Sequence, residues 1–248
     1  MNEVTHSLPR IRNVLSYQEV FNVIESEILG GRLKADDIVP TETALAKALG
    51  VNRSTIREGM RLLEQTGLVR RRPDRRLYVS APQASEFSSR MTRAMALHQI
   101  SVREYWEVQM VLEPLAASLA AKHVKSETLA ALNANLLATE AAQLAGRPVM
   151  ELDVEFHALV ATASGNRALA LAREPSFAMI LLEVTPVLQL LKQSASRMAQ
   201  AHRKIFEAIR GGDAGTAETW MRRHLMDLRR GYEMTGINME KPVDALKS

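Results

Sequence analysis

The segment 40-PTETALAKALGVNRSTIREGMRLLEQTG-67 decides how the N-terminal part of the chain is interpreted. It contains two stretches of helix-forming residues, and only three residues, beginning with Gly50, separate them. Thr41 is a suitable N-cap for the first stretch, and apolar residues recur at helical spacing along the second. Two helices joined by a short turn that contains glycine are typical of a helix-turn-helix.

The residues on either side of this segment complete a small domain. Upstream, apolar residues at helical spacing predict a further helix over 17–29. Downstream, Gly67 ends the second motif helix, and short strands are predicted at 68–72 and 77–79 around the turn 73–76. A hairpin in this place is a wing, although a basic hairpin on another kind of small domain would read similarly. The predicted N-terminal fold is therefore a winged helix-turn-helix with three helices and a β-hairpin.

Positive charge is concentrated in the same region. Residues 51–78 include eight arginines and three acidic residues, although such a run also fits an ordinary solvated face. Arginine presents a planar fork that matches phosphates and guanine edges. The first turn of a recognition helix enters the major groove, and arginines at a wing tip reach the backbone or the minor groove. The side chains predicted to contact DNA are Thr41, Arg53, Ser54, Thr55, Arg57, Arg61, Arg72, Arg75 and Arg76.

Length and composition exclude several classes of protein. A chain of 248 residues has room for one large domain or two modest ones, and 46% hydrophobic with 24% charged residues is ordinary globular composition. The absence of cysteine excludes disulfides, thiolate metal ligands and cysteine nucleophiles. No apolar run reaches the roughly 18–20 residues of a membrane span, and the N-terminus lacks the apolar core of a secretory signal. We therefore expect a cytoplasmic protein without membrane association.

From residue 84 onward the sequence predicts helices, because strong helix formers dominate and strand patterns largely vanish. The predicted helices cover 102–124, 126–145, 149–163, 167–192, 195–210 and 213–234. The fold class is therefore mainly α, with an all-α helical bundle following the winged domain. We expect the winged domain and an N-terminal arm over 1–82, the helical domain over 83–236, and a poorly ordered tail over 237–248.

Four residues of the helical domain are spaced so that their side chains can meet. Asp153 and His157 are four residues apart, which places them one turn apart on one helix face. In an antiparallel helical hairpin, His202 and His224 would lie about 15 and 18 Å from Gly212, so they are nearly level. One carboxylate and three imidazoles suit Zn²⁺, Ni²⁺, Mn²⁺ or Fe²⁺. The same residues also fit a metal-free polar cluster joined by hydrogen bonds.

The N-terminal sequence resembles the DNA-binding domain of GntR-type bacterial transcription regulators. The matching runs include Pro40-Thr41-Glu42, Arg53-Ser54-Thr55-Ile56-Arg57-Glu58 and Gly67-Leu68-Val69, and the resemblance covers about residues 16–80. Thr43 stands where many members have an arginine, and the wing tip Pro73-Asp74-Arg75-Arg76 lacks the glycines that are common there. The resemblance implies binding to double-stranded DNA, with an operator sequence that these residues do not reveal.

Residues 105–235 resemble the FCD ligand-binding domain of the FadR-like branch of that family. The matching runs include Tyr105-Trp106-Glu107-Val108, Asp153-Val154-Glu155-Phe156-His157 and His202-Arg203-Lys204-Ile205-Phe206. The resemblance implies effector binding and dimerisation by this domain, and a divalent metal ion held by Asp153, His157, His202 and His224. It also implies an effector pocket that includes Gln109 and Asn166. Many members have an arginine in place of Gln109, and glutamine cannot form its charge-assisted pair with a carboxylate.

These features predict a ligand-responsive transcription regulator and not an enzyme. The resemblance implies a repressor, because repressors are the commoner members of the family. We expect a homodimer on a pseudo-palindromic operator, because one recognition helix reads too few base pairs alone. The expected effector is a small metabolite such as an organic acid. Two other hypotheses stay open: a metalloenzyme with a DNA-binding head, and a nonspecific architectural DNA-binding dimer.

Overall fold

The structure is a computed structural model that describes residues 16–81, 84–173 and 193–242. The chain divides into two compact units, 1–83 and 84–248. The predicted N-terminal arm lies outside the described residues, as does the part of the predicted 167–192 helix that follows residue 173. None of the described helices combines the length and the apolar character that crossing a membrane requires.

The N-terminal unit is the predicted winged helix-turn-helix, with three helices and one antiparallel hairpin among its described residues. Its elements are α1 (Tyr17–Leu29), α2 (Glu42–Leu49), α3 (Arg53–Gln65), β1 (Val69–Arg71) and β2 (Leu77–Val79). Val69 pairs with Val79 and Arg71 pairs with Leu77 across the hairpin.

Side-chain caps set the turn between α2 and α3. Oγ1 of Thr41 accepts a hydrogen bond from the Ala44 amide at 3.3 Å, so Thr41 is the N-cap of α2. Gly50 ends α2 with a left-handed φ of 67°. Oδ1 of Asn52 accepts a hydrogen bond from the Thr55 amide at 3.0 Å and caps α3. The Asn52 cap explains why α3 begins immediately after the turn.

One apolar core holds α3 against α1. Ile56, Met60 and Leu63 of α3 are buried together with Val20 and Ile24 of α1. These side chains fix the buried face of α3, which leaves the opposite face to solvent.

Residues that precede α2 add backbone pairing to the hairpin, which the sequence pattern did not indicate. The Val39 amide donates to the Leu77 carbonyl at 2.9 Å, and the Val79 amide donates to the Asp37 carbonyl at 2.9 Å. These bonds tie the hairpin to the segment that leads into the helix-turn-helix.

The C-terminal unit consists of helices throughout its described residues. They are α4 (Ala84–Leu97), α5 (Val102–His123), α6 (Ser126–Leu144), α7 (Met150–Ala163), α8 (Arg167–Arg173), α9 (Ser194–Arg210) and α10 (Ala214–Thr235). Small residues let α5 lie close to its neighbours, because Ala116, Ala117 and Ala120 are buried in the same core as Phe156 and Met221. The core therefore joins α5 to α7 and α10.

The residues after α10 return to the beginning of α5. The Val102 amide donates to the Lys241 carbonyl at 3.2 Å, and the Arg103 amide donates to the Met239 carbonyl at 3.0 Å. The first residues of the tail that we expected to be poorly ordered therefore make backbone contacts, and its last residues, 243–248, lie outside the described part.

Gly59 provides a test of the packing between α1 and α3. Glycine inside a helix normally lowers stability by about 0.5–1 kcal/mol relative to alanine. At this position, however, an added Cβ would lie 2.7 Å from Cγ1 of Val20 and 3.0 Å from the Tyr17 carbonyl oxygen. We expect Gly59→Ala to lower the free energy of unfolding of the N-terminal unit by about 1–3 kcal/mol, which is the usual cost of overpacking.

Gly215 of α10 is the matched control. An added Cβ there would meet no other residue closer than 3.8 Å, so Gly215→Ala should not destabilise the protein. Scanning calorimetry of the full chain measures both variants. A Gly59→Ala protein that unfolds at the wild-type temperature or above would contradict the described packing of α1 on α3.

Candidate functional site

The beginning of α3 presents polar side chains to solvent. Arg53, Ser54 and Arg57 are exposed, and Thr55 is half-buried. The hydroxyls of Ser54 and Thr55 donate to Oδ1 of Asn52 at 2.8 and 2.7 Å, which holds both side chains at the helix N-terminus. Free amides and the helix dipole favour a phosphate at such a terminus.

Two of the predicted arginines of α3, Arg57 and Arg61, form exposed ion pairs. Nη2 of Arg57 lies 3.2 Å from Oε2 of Glu42 on α2, and Nη1 of Arg61 lies 3.5 Å from Oε1 of Glu58. Exposed pairs of this kind contribute little stability, so these arginines can exchange a carboxylate for a phosphate at low cost. Thr41, at the start of α2, is also exposed.

The hairpin tip is cationic and exposed. Arg72 pairs with Asp36, and its guanidinium carbon lies 4.1 Å from the centroid of the Tyr78 ring. Arg75 occupies the turn with a positive φ of 65°, and the Arg76 amide donates to Asp74 at 3.1 Å. The sequence predicted the arginines of the tip, but not the contacts with Asp36 and Tyr78 that hold Arg72 in place.

The four predicted metal ligands meet inside the C-terminal unit. Asp153 and His157 come from α7, His202 comes from α9 and His224 comes from α10. One ligand atom from each lies within 4.8 Å of the others. Oδ1 of Asp153 lies 3.2, 3.9 and 3.8 Å from Nε2 of His202, His157 and His224, respectively. We call these four residues the donor cluster.

Local sequence explains how the helices bring the donor cluster together. The spacing of Asp153 and His157 places both on one face of α7. Gly212, with a φ of 72°, and the cap formed by Asp213 reverse the chain between α9 and α10. This reversal is the helical hairpin that we expected for His202 and His224, and it places their rings 4.9 Å apart between centroids.

Two further residues orient the donor cluster. Nδ1 of His157 lies 2.9 Å from Oε2 of Glu113 on α5, a hydrogen bond that leaves Nε2 directed at the cluster. Nε of Arg173, at the end of α8, donates to the other oxygen of Glu113 at 2.6 Å. Both Glu113 and Arg173 are buried. His202 stacks on Phe156 with a centroid distance of 3.8 Å, which fixes its ring plane.

Burial and charge set the protonation states. Burial would raise the pKa of Glu113, but the charges of Arg173 and His157 hold this pKa at about 2. Burial likewise opposes ionisation of Asp153, yet the surrounding imidazoles keep its pKa below the usual value. Both carboxylates are therefore ionised at neutral pH.

The three imidazoles differ from one another. Burial lowers the pKa of His202, and burial together with the neighbouring imidazoles lowers the pKa of His224 to about 3. Burial acts in the same direction on His157, but the carboxylate of Glu113 raises the pKa of this ring above its ordinary value. Neutral His202 and His224 beside an ionised Asp153 are the forms that bind a metal ion.

The donor cluster fits a divalent cation. Oδ1 of Asp153 and Nε2 of His202 are fully buried and form no hydrogen bond with the residues that the structure describes. Nε2 of His157 and Nε2 of His224 face each other at 3.2 Å, and Oδ1 of Asp153 lies 3.9 and 3.8 Å from them, respectively. A cation among the four donors would satisfy all of these atoms, and a set of three nitrogens and one oxygen suits the borderline metals.

The two residues assigned to an effector pocket occupy different environments. Gln109 is buried on α5, one turn before Glu113 on the same face, and its Oε1 has no hydrogen-bond partner within the described ranges. Asn166 is exposed, and its Oδ1 accepts a hydrogen bond from the Leu169 amide at 3.1 Å. Asn166 therefore caps α8, the helix that carries Arg173.

Sequence reasoning did not single out Glu113 or Arg173. A signal for Glu113 existed, because it is the one acid among the small residues of the inward face of α5. Arg173 gave no such signal, because its role depends on where α8 ends.

Comparison with known proteins identifies both units. The family model described as "Bacterial regulatory proteins, gntR family" matches residues 16–79, and the family model of the FCD domain matches residues 104–227. The HTH-type transcriptional regulator LutR of Bacillus subtilis is 28% identical over 212 residues, which are 83% of this chain and 97% of LutR. The HTH-type transcriptional repressor NanR of Salmonella arizonae is 26% identical over 247 residues, which are 96% of this chain and 93% of NanR.

A solved structure agrees with the fold. The Streptococcus agalactiae GntR structure has a TM-score of 0.60 and 27% sequence identity, and the similarity covers 86% of this chain and 99% of that one. The matches extend over both units and retain their order along the chain. The chain belongs to the gntR family of bacterial regulatory proteins and is a DNA-binding transcription regulator whose C-terminal FCD domain binds a small-molecule effector.

Proposed function

We propose that this regulator is a homodimeric repressor that senses a small organic acid at a divalent metal ion in its FCD domain. The observation that carries the proposal is the meeting of Asp153, His157, His202 and His224 from three helices in a buried cluster. The winged unit supplies the DNA contacts, and the helical unit supplies the sensor. The repressor role follows the name of NanR, which aligns with nearly the whole chain.

The DNA-binding surface of the proposal consists of the N-terminal end of α3, the cap of α2 and the hairpin tip. Arg53, Ser54, Thr55 and Arg57 would enter the major groove, because they are the polar side chains of the first turns of α3. Thr41 and Arg61 would contact the backbone beside them. The remaining cations, Arg72, Arg75 and Arg76, would reach phosphates or the minor groove from the hairpin.

A homodimer on a pseudo-palindromic operator follows from the size of this surface. A single α3 contacts only a few base pairs, whereas two copies related by a twofold axis read two half-sites one helical turn apart. Two half-sites also bring the affinity into the range of specific regulators.

The metal ion would be held by the donor cluster and oriented by Glu113. When bound, it supplies a Lewis-acidic position to which a carboxylate can attach. The chain itself provides the ionised Asp153, the neutral rings of His202 and His224, and the Nδ1 hydrogen bond of His157 to Glu113. Zn²⁺, Ni²⁺, Mn²⁺ and Fe²⁺ all accept this donor set.

We infer that the protein does not catalyse a reaction, although three histidines and one carboxylate also occur in hydrolytic zinc sites. Such a site needs a free general base. Glu155 is held on the side of α6, where Nδ2 of Asn135 donates to it at 2.8 Å, and Glu113 is committed to His157 and Arg173. The relatives LutR and NanR are named as transcription regulators, which also favours this inference. We further propose a cytoplasmic location, because the DNA that a bacterial regulator binds is in the cytoplasm.

The metal site is tested by thermal stability. A cation at a thousand times its dissociation constant stabilises a protein by about 4 kcal/mol, which corresponds to several degrees in melting temperature. We expect Zn²⁺, Ni²⁺ or Mn²⁺ to raise the melting temperature of chelator-stripped protein, and His202→Ala or His224→Ala to abolish the rise. His123→Ala is the matched control, because His123 is exposed and outside the donor cluster. A rise that survives in His202→Ala and His224→Ala would contradict the assigned ligands.

The recognition helix is tested by substituting its arginines. We expect Arg53→Ala and Arg57→Ala each to weaken operator binding by about 1–3 kcal/mol, the usual value of a base contact. Arg32→Ala is the control. Arg32 is an exposed arginine of the same unit, but it follows α1, outside α3 and the hairpin, and it pairs with Glu27. A gel-shift titration at fixed salt measures all three variants. Unchanged binding by both α3 variants would exclude α3 as the reading helix.

The sensor is tested by linkage between effector and DNA. We expect metal-loaded protein to change its operator affinity by about 5–150-fold when a metal-chelating organic acid saturates it. The same acid should have no effect on His224→Ala, which lacks one ligand but retains α3. Fluorescence anisotropy with a labelled operator gives both affinities. An equal change in operator affinity in wild type and His224→Ala would contradict effector sensing at the donor cluster.

A further inference from the structure

A groove opens onto the donor cluster from the surface of the FCD domain. Its volume is about 1020 Å³, and its walls come from α6, α9 and α10, entirely within the described residues. His224 forms part of the groove lining and its side chain is 13% exposed, whereas the His202 side chain is fully buried. The groove is therefore a route by which a ligand reaches the cluster from the His224 side.

The groove is strongly cationic. Five lysine or arginine side chains line it, against only Glu140 and Asp227. Three of the cations are already compensated: Arg203 by Glu140 at 2.5 Å, Arg197 by Asp227 at 2.9 Å and Lys204 by Glu207 at 3.3 Å. The other two cations are Arg223 and Arg230 of α10, which form no ion pair among the described residues.

Apolar side chains also line the groove. Trp220 and Met226 of α10 line the groove together with His224, and Leu144 of α6 lines it with 82% of its surface exposed. The guanidinium of Arg223 lies 5.2 Å from the ring centroid of Trp220, close to His224 in sequence. A molecule with an apolar middle and charged ends matches a groove that is lined by both apolar and cationic side chains.

The spacing along α10 sets the length of such a molecule. Arg230 follows His224 by six residues, which is about 9 Å along the helix axis. An acid whose two charged groups are close together fits this axial separation poorly. An extended acid with its charges at opposite ends fits this separation better.

We propose that the effector is an elongated organic acid with two anionic groups, one at the donor cluster and the other at Arg230, with Arg223 beside its path. This inference rests on the proposed function, because it assumes that the first anionic group binds in the metal-loaded FCD domain. The arginines of α10 take over the charge recognition that Gln109 on α5 cannot supply, since a glutamine offers no charge-assisted pair.

The test compares three acids on zinc-loaded, full-length protein by isothermal titration calorimetry. Suberate has two carboxylates at about the required separation, octanoate has the same chain length with one carboxylate, and succinate has two carboxylates close together. We expect suberate to bind at least tenfold more tightly than either of the others. We expect that advantage to disappear in Arg230→Gln and to persist in Arg230→Lys, which keeps the charge.

Arg229→Gln is the matched control, because Arg229 is the neighbouring arginine of α10, lies outside the groove lining and pairs with Glu233. It should retain the preference for suberate, and all variants should keep the zinc-dependent rise in melting temperature. Equal binding of suberate, octanoate and succinate would overturn the proposal that Arg230 binds a second anionic group, but it would leave the sensing of an organic acid intact. A preference for suberate that persists in Arg230→Gln would also overturn it. No binding by any of the three acids would overturn both proposals.

Discussion

Asp153 is an ionised carboxylate inside a helical bundle, with three imidazole nitrogens between 3.2 and 3.9 Å from its Oδ1. An isolated buried charge of this kind is strongly unfavourable, and hydrophobic packing around it offers no compensation. The imidazoles provide partial compensation, but Oδ1 accepts no hydrogen bond from the described part of the chain. A cation among the three imidazoles would complete the stabilisation of this group, and α7, α9 and α10 each contribute a donor to that position.

The Glu113 carboxylate extends this arrangement to two more helices. It connects His157 of α7 to Arg173 of α8, and it is itself on α5. The donor cluster, Glu113 and Arg173 therefore join α5, α7, α8, α9 and α10 through carboxylate, imidazole and guanidinium side chains. A change in the position of the donor cluster therefore alters side-chain contacts on all five of these helices. Breaking a buried pair by removing one partner is costly, so such a network favours a small number of discrete arrangements over gradual deformation.

The sequence predicted the parts of the molecule that depend on local spacing. Asp153 and His157 share a helix face because of their four-residue separation, and Gly50 marks the turn before α3 because few other residues adopt a left-handed φ. His202 and His224 were placed together by counting residues from one glycine turn. In each case a single helix or a single reversal fixes the answer, so periodicity is sufficient.

Contacts between distant segments were not predictable in the same way. The salt bridge between Glu113 and Arg173 joins residues sixty positions apart, and its existence depends on how α8 packs against α5. Asn166 was assigned to the pocket by resemblance, whereas in the structure it caps the helix that presents Arg173. The pairing of residues 37–39 with the hairpin likewise depends on tertiary folding. Local patterns cannot encode such contacts: periodicity can indicate that Glu113 faces inward on α5, but it does not indicate which distant residue Glu113 meets.

The donor cluster and the proposed DNA-binding surface belong to different units of the chain, which constrains how effector binding can change the affinity for DNA. The donor cluster lies entirely within the FCD unit, and α3 and the hairpin lie within the winged unit. In the proposed homodimer, affinity for the operator depends on both winged units engaging at once, and a loss of simultaneous engagement costs about 10²–10⁴-fold. An effector therefore does not need to alter α3 itself; a small shift in the spacing of the two winged units is sufficient. Thermodynamic reciprocity then requires the operator to change the affinity for the effector by the same factor, so the sensor and the DNA-binding surface regulate each other.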